Sequence, residues 1–386
     1  MKMNAIDKCN LCATDIDTGA AVYRAPDTQR DLTVYVCPVC GLVQSLPRND
    51  RVAVRTLSTS GGANWGNVRY GKGFRAQYAL DKIDAAVPKG VRNRILDVGA
   101  NRGAFLNIYL AKHSAEAIWA IEPDTRVVSD YSENQAIKFV GQRIEDVKLP
   151  ANYFDLVHCS HTLEHVCDAL AVLNQIRNSM AAHGVMYLEV PSIDFIARDD
   201  VVEEFFIDKH LYHFSHETLS CLASKAGFEI IDEWSDTENI GLLVRPAPKK
   251  ERKCDLRREA MQSKERISVY ANSLRRSKER FGIAARKIEK LSSQGIVIWG
   301  AGRIFDLLVR EGSFDVQVIR GVVDSELPKY VESMHGVKVR FPTALTELEP
   351  AVVVICSRTY FDEIALNVRK LCVRETKVIS VFDLME

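Results

Sequence analysis

Residues 95–106 read ILDVGANRGAFL. An apolar run carries Asp97 near its end, Gly99 and Gly103 follow, and 104–110 reads as the opening of a helix. Glycine at those two places permits a tight strand-to-helix turn whose backbone N–H groups can approach a ligand. Working outward, further strand candidates lie at 117–121 (AIWAI), 137–140 (IKFV), 154–159 (FDLVHC) and 185–190 (VMYLEV). Helix-length segments separate these five runs, which predicts a parallel sheet covered on both faces. Two more runs, 228–233 (FEIIDE) and 240–245 (IGLLVR), stand too close for a crossover and should pair as an antiparallel hairpin. The expectation is an α/β fold with a central seven-stranded doubly wound sheet.

The spacing Asp-x-Gly-x-x-x-Gly resembles motif I of the class I methyltransferases that use S-adenosylmethionine (SAM). It departs from the dinucleotide fingerprint because residue 101 is asparagine. The resemblance continues in register. Glu122 and Pro123, in IEPD, end the second strand, and a carboxylate there can accept both ribose hydroxyls. Ile144 and Glu145 fall where the family flanks adenine, and Ser160 leads into HTLEHV at 161–166. The resemblance therefore implies a SAM site made by Asp97, Gly99, Ala100, Gly103, Glu122, Pro123, Ile144, Glu145 and Ser160.

The chain has 386 residues, enough for two or three domains, with 51 basic and 51 acidic side chains. No apolar run approaches the roughly 18–20 residues of a membrane span, and the first residues lack the pattern of a secretory signal, so a cytoplasmic location is expected. In such a compartment the pairs Cys9/Cys12 and Cys37/Cys40, separated by 24 residues, read as a metal site. Four thiolates close a tetrahedral shell and leave no open position, so the metal would be structural. The domains expected are a cysteine-bearing module at 1–60, the cofactor domain at 61–247, a basic helical connector at 248–294 and a C-terminal α/β domain at 295–386. In the connector Ile267, Tyr270, Leu274, Phe281, Ile288 and Leu291 recur at helical spacing, which suggests one or two amphipathic helices.

As a whole, the layout resembles the zinc-containing sugar C-methyltransferases of deoxysugar pathways. That resemblance implies structural Zn2+ on the four cysteines and a nucleotide-linked sugar or related glycan precursor as substrate. Carbon methylation needs a base that removes a proton alpha to a ketone, and histidine suits the task. His165, in Leu-Glu-His, and His210, in KHLYHFS, fall at the family's site positions. Lys209 stands where the family often has glutamate; it could stabilise an enolate or pair with a phosphate, which leaves oxygen methylation or another small-molecule acceptor open. Tyr70, after a Gly-rich stretch, is a candidate substrate contact. His161 and His213 read as neighbours that pack or hydrogen-bond. In the C-terminal domain WGAGRIFDLL at 299–308 carries Phe305 at the third glycine position of a dinucleotide loop, so a capping or structural role is expected. A nucleic-acid-binding protein or RNA methyltransferase is the reading from another class; the balanced charge and the scarcity of aromatics beside the basic residues argue against it.

Overall fold

A computed structural model describes residues 7–16, 21–25, 32–47, 72–87, 93–132, 136–196, 202, 205–207, 209–236, 238–248, 256–329 and 331–386. The chain divides into two compact units, the first built mainly from the residues before 272 and the second mainly from those after it.

The first unit begins with three short strands, β1 (Ala21–Arg24), β2 (Thr33–Val36) and β3 (Val43–Leu46). Helix α1 (Lys72–Ala86) precedes β4 (Arg94–Val98), α2 (Ala104–Lys112), β5 (Ala117–Ile121), β6 (Ile137–Val140) and β7 (Phe154–Ser160). Then come α3 (Ala169–Ser179), β8 (Met180–Pro191), the two-residue β9 (Tyr212–His213), α4 (His216–Lys225), β10 (Phe228–Ser235) and β11 (Asn239–Pro246).

The seven-stranded sheet has the order β10-β11-β8-β7-β4-β5-β6. Strands β4 to β8 run parallel and β10 and β11 form an antiparallel hairpin, as the sequence predicted; β11 is also antiparallel to β8. Alternate residues serve opposite cores. Leu96, Val98, Val157, Cys159 and Leu188 pack on one face with Leu173 of α3 and Leu222 of α4. Ile95, Leu156 and Tyr187 pack on the other with Leu80 of α1 and Phe105 of α2. Where the sequence suggested helix-length crossovers after β5 and β6, short 3-10 turns stand instead, Thr125–Tyr131 and Ile144–Asp146.

A second sheet, β1-β2-β3-β9, joins the cysteine-bearing segment to the rest of the unit. Its last pairing, Val43 with His213 and Gln44 with Tyr212, crosses a long sequence separation. Asn10 reinforces it, donating from its side chain to Asp168 Oδ1 (2.7 Å) and accepting from Leu170 N (2.9 Å) at the start of α3.

The basic segment forms one helix, α5 (Arg257–Glu289). Ile267 and Tyr270 are buried in its first half, and Tyr270 packs edge-on against Phe206. Phe281, Ala284 and Ile288 of its second half belong to the core of the second unit. That unit contains β12 (Ile296–Trp299), α6 (Arg303–Arg310), β13 (Ile319–Val323), β14 (Ser333–Met334), β15 (Val337–Arg340), α7 (Leu345–Leu348), β16 (Val352–Ile355), α8 (Phe361–Leu371) and β17 (Lys377–Ser380). Its sheet, β14-β15-β13-β12-β16-β17, is parallel apart from β14. Among the described residues no helix is long and apolar enough to cross a membrane.

Candidate functional site

The loop after β4 sits at the carboxyl edge of the parallel strands, where open α/β sheets bind ligands. Gly99 and Gly103 have φ of 76° and 73°, the left-handed region that glycine enters without cost. A Cβ on Gly99 would lie 1.9 Å from Thr162 Oγ1, so the loop also needs glycine for space. The N–H groups of Gly99 and Ala100 both donate to the Ile121 carbonyl, at 2.9 and 3.0 Å.

Glu122 is buried and held on both sides. Asn101 N donates to its Oε2 and Asp124 N to its Oε1, each at 2.9 Å. Charge-assisted bonds of this kind fix the carboxylate in place and leave lone pairs for a ribose. Asn101, itself at φ 51°, places its side-chain Oδ1 in the interior with no hydrogen-bond partner. That orphaned acceptor next to Glu122 suits a ligand rich in donors, as the ammonium and ribose hydroxyls of SAM would be. The residues present therefore fit the cofactor the loop motif implies.

Asp97 has a partner the sequence did not suggest. It lies beside His158 in the sheet, and His158 Nδ1 meets its Oδ1 at 2.7 Å, both side chains being buried. The His158 ring stacks on Phe105 at 4.0 Å. Ile144 is buried in its 3-10 turn, and Pro123 is half-buried. Burial alone would raise the Glu145 carboxyl. Arg143 (3.1 Å) and the Cys167 N–H (3.1 Å) outweigh it and hold that carboxyl below the usual range. Arg143 also donates to the His165 carbonyl (3.1 Å), tying this wall to the Leu-Glu-His turn. Ser160 donates to Glu189 Oε1 (2.8 Å), whose other oxygen accepts from the Tyr187 hydroxyl (2.7 Å).

Thr162 packs against Gly99 of this loop, and just beyond it the structure gathers His165, His210 and the Lys209 carbonyl, together with Glu164, which the sequence reading passed over. The 3-10 turn Leu163–His165 turns Glu164 inward until it is 1% exposed. Neither of its oxygens makes a hydrogen bond, and burial, with help from Glu189, pushes its carboxyl up to about 8. His165 Nδ1 lies 2.8 Å from the Lys209 carbonyl oxygen. A carbonyl only accepts, so Nδ1 carries a proton, and in the neutral ring Nε2 keeps the lone pair. That Nε2 faces Glu164 Oε1 at 3.6 Å, and the ring centroid lies 4.9 Å from that of His210. Burial and the neighbouring His165 and His213 hold the His210 pKa well below the usual histidine value.

His161 and His213 act as the supports the sequence suggested. His161 Nε2 accepts from Arg75 of α1 (2.5 Å), and His213, buried with its pKa lowered to about 3, bonds Ser45 Oγ through Nε2 (2.8 Å). Through Ser45 and the β3–β9 pairing, the cysteine-bearing segment braces the stretch that carries His210. Tyr70 lies outside the described residues.

Cys9, Cys12, Cys37 and Cys40 converge so that their sulfurs lie within 4.8 Å of one another. The closest approaches cross the two knuckles, Cys9 to Cys40 at 3.5 Å and Cys12 to Cys37 at 3.4 Å. Sulfurs at about 2.3 Å from a tetrahedral Zn2+ would stand roughly 3.8 Å apart, so the four thiols could hold zinc.

Strand order, loop and buried acidic residue together define the class I α/β methyltransferase architecture. Residues 72–233 match a family model described as a methyltransferase domain, and residues 292–379 match one described as C2185-like, N-terminal. The chain thus carries a class I SAM-dependent methyltransferase domain and is an enzyme of that class. Among solved structures it is similar to a SAM-dependent methyltransferase from Mesorhizobium loti (14% identity, 44% of this chain and 97% of that one, TM-score 0.37). It is also similar to a 1,6-didemethyltoxoflavin-N1-methyltransferase from Burkholderia thailandensis (16% identity, 58% and 98%, TM-score 0.43). Comparison with curated proteins finds no match.

Proposed function

We propose that this enzyme binds SAM over the loop of Gly99, Ala100 and Gly103, with Asp97, Glu122, Pro123, Ile144, Glu145 and Ser160 around it. It moves the methyl group to a nucleotide-linked sugar or a related glycan precursor. The observation that carries the reading is the pair of imidazoles, His165 and His210, 4.9 Å apart, with the stretch before His165 packed on the cofactor loop through Thr162 against Gly99. That pairing supports a role for both as acceptor-activating groups close to the methyl sulfonium of a bound cofactor. The segment bearing His210 is held by the cysteine module, and that arrangement gives the module a reason to exist in a sugar methyltransferase. The four cysteines hold Zn2+ as a structural ion, and the protein works in the cytoplasm. Lys209 beside His210 supports an alternative acceptor, another small molecule methylated on oxygen or nitrogen, since it replaces a carboxylate with a cation.

Calorimetric titration with SAM, followed by nucleotide sugars with and without a keto group, tests the reading. Micromolar SAM binding strengthened by a keto-sugar nucleotide is the expected result. SAM binding indifferent to every nucleotide sugar would move the acceptor to the alternative class. A folded protein that ignores SAM would sink the assignment.

A further inference from the structure

The cluster beside the cofactor loop has a geometry that a simple histidine base does not need. Glu164 is 1% exposed, yet neither carboxylate oxygen has a hydrogen-bond partner. A buried carboxyl group without a partner is costly, so it is ordinarily hydrogen-bonded, neutralised by a proton or on a metal. Two imidazole nitrogens approach its Oε1, His165 Nε2 and His161 Nδ1, each at 3.6 Å. That distance is too long for a hydrogen bond. It is close to the roughly 3.4 Å between two ligands placed about 2.1 Å from one tetrahedral ion. Ligand atoms of Glu164, His165 and His210 all lie within 4.8 Å of one another.

The tautomers sort the neighbours. His165 donates a hydrogen bond from Nδ1 to the Lys209 carbonyl (2.8 Å), the outer-shell bond that orients a metal-binding imidazole, and the neutral ring turns its Nε2 lone pair toward Glu164. His161 accepts a hydrogen bond from Arg75 at Nε2, so its Nδ1–H faces Glu164 as a donor and not as a ligand. We propose that Glu164, His165 and His210 form a second metal site, distinct from the four cysteines, which takes a divalent first-row ion such as Zn2+. Two imidazoles and one carboxylate suit such ions better than Mg2+, which favours oxygen ligands and water. Three protein ligands leave a position open, as in catalytic and not structural zinc sites, and an acceptor oxygen can fill it. The proposal rests on reading this cluster as the acceptor pocket, and it replaces a free histidine base with an ion that acidifies the bound acceptor.

The test is equilibrium dialysis of the full-length chain against micromolar Zn2+, with the metal then counted per chain. Glu164→Gln and His210→Asn are each run beside wild type and checked for native circular dichroism. Wild type should hold one ion more per chain than either variant, whatever the four cysteines contribute to all three. Equal counts overturn the proposal. If one variant fails to fold, the other decides. SAM titration of the same samples keeps the two readings apart: equal counts with SAM binding intact sink only the metal site. An extra ion on a wild type that ignores SAM sinks the functional reading alone.

Discussion

Glu122 and His213 illustrate how single side chains in this enzyme are set by their surroundings. The Glu122 carboxylate is oriented by the N–H groups of Asn101 and Asp124, so its contribution to a ribose contact is prepaid in rigidity. Glu122→Ala removes the acceptor and frees the Asn101 end of the loop; SAM affinity should fall by about 10- to 100-fold, read by calorimetry. A loss below threefold would mean that the ribose is held elsewhere. His213 is buried with its pKa lowered to about 3 by loss of water. An unfolded histidine titrates near 6.5. The neutral ring therefore supports the fold fully above that value, and the support is lost as pH falls toward 3. Between pH 6.5 and 5 the loss is about 2 kcal/mol, and His213→Gln should remove most of that pH dependence. Urea midpoints at pH 7 and 5 check it: parallel shifts for wild type and variant would show that His213 is not the titrating group.

At the scale of elements, β3 and β9 join the cysteine segment to the stretch that bears His210. Zinc on four thiolates would fold that segment, since so small a unit has little core of its own. Cys37→Ser should therefore abolish zinc binding and lower the melting temperature. It should cost methyl transfer far more than SAM affinity, because among the described residues the loop after β4 has no strand pairing with the module. Equal loss of both would contradict that division of labour. Gly41 closes the second knuckle at φ 73°, and a Cβ there would stand 2.7 Å from backbone atoms of Glu259 and Ala260. Gly41→Ala should destabilise by about 1–3 kcal/mol through backbone strain, with more from the clash. A thermal shift of under 2 °C would refute it. None of this packing could be read from sequence. The buried strands RILDV and FDLVHC were legible because parallel strands buried on both faces are continuous apolar runs. Tyr212–His213 was not, since two residues carry no period and their partner lies far away in the chain. Glu164 escaped for a related reason: a carboxylate in a polar motif reads as exposed, and only the 3-10 turn buries it. Asp97 was legible as the end of a strand, but not its bond to His158, which depends on the register of β4 against β7.

Among the described residues, the cores built around the two larger sheets each lie within one unit. Leu96, Val157 and Leu188, with Ile95 and Tyr187 on the opposite face, serve the first. Ile298, Phe305 and Val354, with Trp299 and Ile355, serve the second. Cooperative unfolding follows a shared core, so scanning calorimetry of the full chain should resolve two transitions. A ligand that binds only the folded form of one unit stabilises that unit by RT ln(1 + [L]/Kd), about 2.7 kcal/mol at one hundred times Kd. For a unit of this size that is roughly 5–10 °C. SAM should therefore raise one transition by that amount and leave the other where it was, because Gly99, Gly103 and Glu122 all belong to the first unit. Zn2+ should move the same transition, since all four cysteines and the Glu164 cluster lie in that unit too. A single transition moved as one by SAM would mean that the two units unfold as one cooperative body. A nucleotide sugar that shifts the second transition without SAM would place acceptor binding in the C-terminal sheet.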